Sequence, residues 1–166
     1  REFVTEAENI GARLRPEDPA QERLKYWRAL GQLRRGDVIR PDERAGAEKL
    51  LREVLAADPK LEEAWFELLR SQFSNAERYL GEQREADTRK QFEEIDATIA
   101  AAKAALPDSY VWRVAAAIRE RLRLTAREKG ADPAALDRAR EELLAAVRAA
   151  YQAPVEAPFR TGVLQT

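Results

Sequence analysis

The stretch WRALGQLRRGDVIRPDERAGAEKLLREVLAADP, residues 27–59, carries the pattern that decides the fold class. In its second half, apolar residues recur on one face of an α-helix: Ala47, Leu50, Leu51, Val54 and Leu55. Gly36 interrupts the pattern before this helix and Pro59 closes it, because neither residue continues a regular helix well. The stretch therefore predicts two helices joined by a turn, which is a helical hairpin.

The rest of the chain continues the same periodicity. The further apolar stripes are Trp65, Leu68, Leu69 and Leu80; Phe92, Ile95, Ile99, Ala102 and Leu106; Val111, Val114, Ile118 and Leu122; and Leu136, Leu143, Val147 and Tyr151. No stretch alternates apolar and polar residues between turn signals, as a half-buried strand would. We expect an all-α chain of six or seven helices, in which residues 3–14 form a short leading helix.

The length of the chain and the positions of its Pro residues indicate one folded domain followed by a tail. The chain has 166 residues, of which 45% are hydrophobic, and this is enough for one continuous core. Residues 154–166 contain Pro and show no periodicity, so we expect a helical domain over residues 1–153 and an extended tail after it. Because the sequence contains no Met, we also expect it to be a piece of a longer or processed protein.

The missing residue types argue against most classes of enzyme. The sequence contains no Cys and no His, which removes thiolate nucleophiles, the commonest general base and the commonest metal ligands. Glu93, Glu94 and Asp96 are close in sequence, but adjacent carboxylates on a helix point to different faces. We therefore expect no catalytic activity, no cofactor and no metal site.

The net charge of the chain does not favour binding to nucleic acid. Lys and Arg number 29 against 30 Asp and Glu, for a formal net charge of −1. Arg119, Arg123 and Arg127 form a local basic ridge, but the neighbouring Glu120 and Glu128 lower its net positive charge. We therefore expect this ridge to be a solvated helix face. Nucleic acid is therefore not an expected partner.

Membrane insertion is not expected either. The longest nearly apolar stretches, residues 97–106 and 114–118, are far shorter than the roughly 20 residues that cross a bilayer, and no signal peptide opens the chain. We expect a soluble chain from the cytoplasm or the periplasm. Abundant Ala, with Arg far in excess of Lys, is typical of a GC-rich bacterial genome.

Pro and Trp recur together along the chain. The pairs are Pro19 with Trp27, Pro59 with Trp65, and Pro107 with Trp112. Pro59, Pro107 and Pro154 lie 48 and then 47 residues apart, and this spacing predicts repeated helix pairs. We expect the three Trp side chains to be core anchors; the alternative is that they are stacking platforms for bases or sugars.

The first helix pair carries a family resemblance. Trp27-Arg28-Ala29-Leu30-Gly31, a turn that contains Gly36, small and apolar residues in the second helix, and the closing Asp58-Pro59 together resemble a tetratricopeptide repeat. Two later pairs repeat the pattern less faithfully, so the resemblance covers residues 20–153. It implies a right-handed solenoid of about three helix pairs, for which a compact up-and-down bundle is the rival architecture.

The spacing of the Pro residues is longer than this family predicts. Intervals of 48 and 47 residues exceed the usual repeat length of about 34 residues. Elongated helices, or an insertion around residues 75–87, are needed to explain the difference.

The resemblance also implies a concave groove lined by one face of each first helix. Carried over position by position, the groove residues are Lys25, Arg28, Gln32, Arg35, Phe66, Arg70, Phe73, Tyr110 and Arg113. Arg pairs with carboxylates and aromatic rings bury aliphatic groups, so the groove suits an extended peptide with acidic and apolar side chains. The carboxylate clamp of some family members fits less well, because Glu67 stands where the clamp has Asn.

Other functions stay open. A self-associating helical module is one, and an apolar outer face on residues 1–14 or 134–152 would support it. A helical accessory domain of a larger enzyme or envelope assembly is another. The tail also has two interpretations: its apolar residues, among them Val155 and Phe159, could occupy a groove, or it is a frayed end.

Overall fold

A computed structural model describes residues 20–33, 41–127 and 133–151 of the chain. Within these ranges it contains six α-helices and no strand, so the all-α prediction is confirmed. In chain order the helices are α1 (Ala20–Leu33), α2 (Pro41–Ala57), α3 (Glu62–Gly81), α4 (Glu85–Ala105), α5 (Val111–Arg127) and α6 (Pro133–Tyr151). The leading helix expected over residues 3–14 and the tail expected over residues 154–166 lie outside the described residues.

The chain divides into two compact units, residues 1–71 and 72–166, and the boundary falls inside α3. In the first unit α1 packs on α2, and in the second unit α5 packs on α4 and on α6. Neighbouring helices thus pair in sequence order, as short connections favour. The solenoid arrangement, its handedness and its number of helix pairs stay predictions.

The first unit buries the apolar stripes that the sequence predicts. Its buried apolar side chains are Leu24, Ala29, Leu30, Leu33, Ala47, Leu51, Val54, Leu55, Ala64, Trp65, Leu68 and Leu69. A polar link joins α2 to α3, because the Ser71 hydroxyl donates a hydrogen bond of 2.8 Å to the buried Glu48 carboxylate. Both residues lie similarly far along the chain from the Asp58-Pro59 turn, as expected for antiparallel helices.

Two tryptophans close the turns that precede their helices. The indole nitrogen of Trp65 donates to the Pro59 carbonyl at 2.8 Å. In the same way, the indole nitrogen of Trp112 donates to the carbonyls of Leu106 and Pro107, at 3.1 and 3.2 Å. Carbonyl groups after a helix end have no partner within the helix, so each indole satisfies an acceptor that the turn exposes. The Pro and Trp that recur together in the sequence are thus explained at both turns by the same hydrogen bond, from the indole to a carbonyl of the turn.

Trp27 differs from the other two tryptophans. The expectation that it is a core anchor is wrong, because the residue is 59% exposed. The buried face of α1 is formed by Ala29, Leu30 and Leu33, and Trp27 lies about a third of a turn away from it around the helix. Its ring instead meets the ring of Tyr26 edge to face, with centroids 5.7 Å apart.

The second unit buries only part of the later stripes, and α6 contributes little to its core. The prediction that Val147 lies on a core face is wrong, because this residue is exposed. The buried apolar side chains are Phe73, Ala76, Ile95, Ile99, Ala102, Val111, Ala115, Leu122 and Ala139. Among the described side chains of α6, only Ala139 is buried. Much of the surface of α6 therefore contacts solvent.

Elongated helices account for the long Pro spacing. Helices α3 and α4 contain 20 and 21 residues, and only residues 82–84 separate them. No inserted element is present over residues 75–87, where the sequence left an insertion open. Additional helical turns therefore lengthen the interval between prolines.

The connection between α3 and α4 is a Schellman turn. The Arg84 N–H donates to the Tyr79 carbonyl at 2.9 Å and the Gln83 N–H donates to the Leu80 carbonyl at 3.2 Å. Gln83 takes the left-handed conformation of this motif, with φ of 56°. Gly81 is the last residue of α3, two positions before the left-handed residue. The position that favours glycine is thus occupied by a residue with a side chain.

Replacing Gln83 by Gly should stabilise the protein. Glycine adopts the left-handed conformation without the steric cost of a Cβ, so we expect Gln83→Gly to raise the free energy of unfolding by about 0.5–1 kcal/mol. Urea denaturation followed by circular dichroism measures the change. Gln83→Ala is the matched control, because it keeps the Cβ and should give no gain. Equal stability of the Gly and Ala variants would contradict the account of this turn.

Candidate interaction surfaces

The most prominent predicted groove residues in the structure are Phe66 and Arg70 of α3. Phe66 is 43% exposed, and Arg70 follows it one turn later on the same helical face. The Arg70 guanidinium contacts Glu67 Oε2 through Nε at 2.9 Å and through Nη2 at 2.6 Å. The side chain of Glu67 is 9% exposed and that of Arg70 is 52% exposed. A buried carboxylate therefore holds a half-exposed guanidinium beside an exposed aromatic ring.

The predicted residues of α1 are engaged with α2 more than the sequence suggests. Lys25 Nζ lies 3.6 Å from the Glu53 carboxylate, and the Arg28 side chain is half-buried. Gln32 faces α2 closely, since a Cβ added at Gly46 would lie 3.5 Å from its Oε1 atom. Arg35 lies outside the described residues. A side chain at position 46 would thus be in ordinary van der Waals contact with the Gln32 amide.

Phe73 does not have the exposure that the groove requires. It was expected to present its ring to a ligand, but this is wrong, because Phe73 is buried in the second unit. It lies seven residues after Phe66, which is about two helical turns, yet α3 changes from a half-open to a covered environment between the two. Helical spacing predicts a shared face but not what covers that face along its length.

Tyr110 and Arg113 belong to the second unit and are both half-buried. The guanidinium carbon of Arg113 lies 4.8 Å from the centroid of the Trp112 ring, and Lys103 Nζ lies 5.1 Å from it. Cations favour the negative face of an indole ring. Arg113 therefore helps to hold Trp112 where its indole closes the turn.

The basic ridge of α5 is neutralised by carboxylates. Arg119 Nη1 donates to one oxygen of Asp96 at 2.8 Å and Arg123 Nη2 donates to the other at 2.6 Å. Arg119 Nε also donates to the buried Glu120 at 2.8 Å, and Arg123 Nη1 reaches the same oxygen at 3.5 Å. Nothing is described of the Arg127 side chain. The solvated ridge expected from the sequence is, at Arg119 and Arg123, an ion-pair network between α4 and α5.

The electrostatics of this network favour charged Arg119. Burial lowers the pKa of Arg119, but the hydrogen bond that Arg119 donates to Asp96 and the charges of Glu120 and Asp96 outweigh this effect, so the pKa is raised. A raised pKa means that the folded state favours the charged form. The stabilisation that follows from the raised pKa of Arg119 is present at neutral pH and is lost as the pH rises through the pKa of Arg119 in the folded state.

A shallow cavity of about 420 Å³ lies beside this network, between α5 and α6. Its lining residues are Arg119, Glu120, Arg123, Glu142, Ala145 and Ala146. The two guanidinium groups face two carboxylates there, and Asp96 adds a third nearby, so the cavity has no excess positive charge for an anion. Across the described residues, no group of three or more acidic, His or Cys side chains is arranged to hold a metal ion.

Comparisons with known proteins identify no relative of this chain. Neither the family models, nor the curated proteins, nor the solved structures contain a match to this chain. Among the described helices, none is long and apolar enough to cross a membrane.

The sequence missed the part played by Glu67. From the sequence, Glu67 is only a residue that stands where the carboxylate clamp has Asn, whereas in the structure it is buried and paired with Arg70. The signal for this pairing was present, because Glu and Arg three residues apart on a helix are neighbours. The burial of Glu67 could not be predicted from that spacing.

Removing Asp96 should destabilise the second unit. Asp96→Ala leaves two arginines without the carboxylate that bridges them, so we expect the free energy of unfolding to fall by about 1–3 kcal/mol. Thermal and urea denaturation measure the change. Asp137→Ala is the matched control, since Asp137 forms an exposed pair with Arg140 at 3.3 Å and such pairs contribute roughly 0–1 kcal/mol. Equal losses in the two variants would show that the network is no stronger than a surface ion pair.

Proposed function

We propose that this protein is a non-catalytic helical scaffold that binds an extended protein segment with acidic and apolar side chains. The observation that carries the proposal is the pairing of an exposed Phe66 with Arg70, whose guanidinium is held by the buried Glu67. Aromatic rings and arginines provide most of the binding energy at protein interfaces. This surface combines the two within one helical turn.

The anchoring of Arg70 suits it to binding. An unrestrained arginine loses rotamer freedom when it binds, which costs about 0.5–1.5 kcal/mol. Arg70 is already restrained by Glu67, yet half of its side chain stays exposed to a ligand. A carboxylate from a partner can pair with this guanidinium while an aliphatic side chain covers the Phe66 ring. The two contacts together select acidic and apolar residues that are close in sequence.

The architecture proposed with this function is a right-handed solenoid of about three helix pairs, of the tetratricopeptide kind. In that arrangement Lys25, Arg28 and Gln32 belong to the same groove as Phe66 and Arg70. Tyr110 and Arg113 are the corresponding groove positions of the later helix pair. An experimental structure in which the helices surround one central core, as in an up-and-down bundle, would contradict this part of the proposal.

Selection from a phage-displayed library of random peptides tests the binding. We expect the enriched peptides to combine Asp or Glu with Leu, Ile or Phe. Phe66→Ala and Arg70→Ala should each weaken binding of a synthetic consensus peptide by about tenfold or more, because each removes an anchor of the interface. Fluorescence anisotropy with a labelled peptide measures the affinity.

Trp27→Ala is the matched control in the same unit, since it removes a ring that is exposed but lies outside the predicted groove. Its affinity for the peptide should be unchanged. Circular dichroism should show that all three variants keep their helices. If the library gives no enrichment over a blank support, or if Phe66→Ala binds as tightly as the parent chain, the proposal is wrong.

The tail provides a second test of the groove. If residues 154–166 occupy it, deleting them should raise the affinity for the consensus peptide severalfold, because a tethered competitor reaches effective concentrations of about a millimolar. Hydrogen exchange of the tail amides in the intact chain is the accompanying measurement. Unchanged affinity, together with exchange as fast as in a free peptide, would rule out docking of the tail.

A further inference from the structure

Helix α6 presents an apolar surface that the described residues of its own unit leave partly exposed. Leu144 is 54% exposed, and Val147 is also exposed. The two residues are three positions apart, so they are neighbours on one face of the helix. Ala145 and Ala149 are exposed in the same part of α6. The C-terminal half of this helix therefore carries more apolar surface than its packing on α5 uses.

Two opposite charges flank this surface in a self-complementary way. Glu141 and Arg148 are both exposed and lie seven residues apart, so they occupy equivalent positions in successive heptads. Both lie on the same side of the apolar pair, with Glu141 before Leu144 and Arg148 after it. Along the helix the acidic residue thus comes first, the apolar pair follows, and the basic residue comes last.

We propose that α6 is a homodimerisation surface that pairs antiparallel with α6 of a second copy of this chain. In an antiparallel pair related by a two-fold axis, equivalent flanking positions of the two helices face each other. With Leu144 near the axis, Glu141 of each copy meets Arg148 of the other. The two-fold axis makes this ion pair twice, and Leu144 and Val147 of both copies form the seam. A parallel pair would not bring these charges together.

The surface fits a weak dimer. Toward the N-terminus of α6 the same face continues with Asp137 and Arg140, which pair with each other at 3.3 Å, so the apolar seam is short. Interfaces that bury less than about 1,200 Å² are typical of transient association. We therefore expect a dissociation constant in the range of tens to hundreds of micromolar, about 5–6 kcal/mol of binding free energy.

Sedimentation equilibrium of the whole chain, over roughly 10 μM to 1 mM, tests the dimer. The average mass should rise from that of a monomer toward that of a dimer. Glu141→Arg and Arg148→Glu should each weaken association by about tenfold or more, because each places like charges opposite one another. An equimolar mixture of the two variants, and the double variant E141R/R148E alone, should both recover it. Leu144→Glu should abolish association.

Arg89→Glu is the matched control, since it makes the same change of charge as Arg148→Glu at an exposed position on α4, away from the proposed seam. It should associate like the parent chain. A chain that stays monomeric at every concentration would overturn the proposal, and so would a mixture of the two variants that fails to recover association. Dimers that form only after residues 153–166 are deleted would also overturn it, because the tail would then be what covers this face. Phe66 and Arg70 are not on α6, so the outcome is independent of the peptide-binding test.

Discussion

The hydrogen bond from a tryptophan indole to a proline carbonyl is the constraint on which the α2–α3 and α4–α5 hairpins depend. After Asp58-Pro59 and after Pro107, the chain must reverse direction within a few residues, and the turn leaves carbonyl groups without a helical partner. Trp65 and Trp112 satisfy those carbonyls from the first turn or so of the next helix. Because the indole fixes where the next helix starts, it also fixes which of its faces meets the core. One interaction therefore links the local sequence to the packing of each unit.

Buried glutamates determine which arginines remain available at the surface. Glu48, Glu67 and Glu120 are all buried, and each lies within ion-pair distance of at least one arginine. A buried carboxylate without a partner is strongly destabilising, so these pairings are constraints of the fold. Glu120 pairs with both Arg119 and Arg123, so these two arginines have little unneutralised charge to offer a ligand. At Glu67 the pairing leaves much of the arginine exposed, which is why the surface around Phe66 is the better candidate for binding.

The sequence predicted the helices and their buried faces well, because periodicity reports directly on burial in an amphipathic helix. It assigned Trp27 and Phe73 to the wrong environments. In both cases the missing information was what packs against a helix face, which depends on residues distant in the chain. Among the predicted groove positions, Phe66 and Arg70 are exposed, and the groove itself stays a prediction. The burial of Glu67 and the exposed apolar face of α6 were not predictable, since both follow from tertiary packing.

Exchange of the three indole N–H groups with D₂O, followed by NMR, tests directly whether the tryptophans close these turns. The signals can be assigned by replacing each Trp with Phe in turn. The indole protons of Trp65 and Trp112 should exchange slowly, because each is hydrogen-bonded to a carbonyl at a turn, whereas that of the exposed Trp27 should exchange quickly. Three indole protons that exchange at the same fast rate would contradict this account of how the hairpins are held.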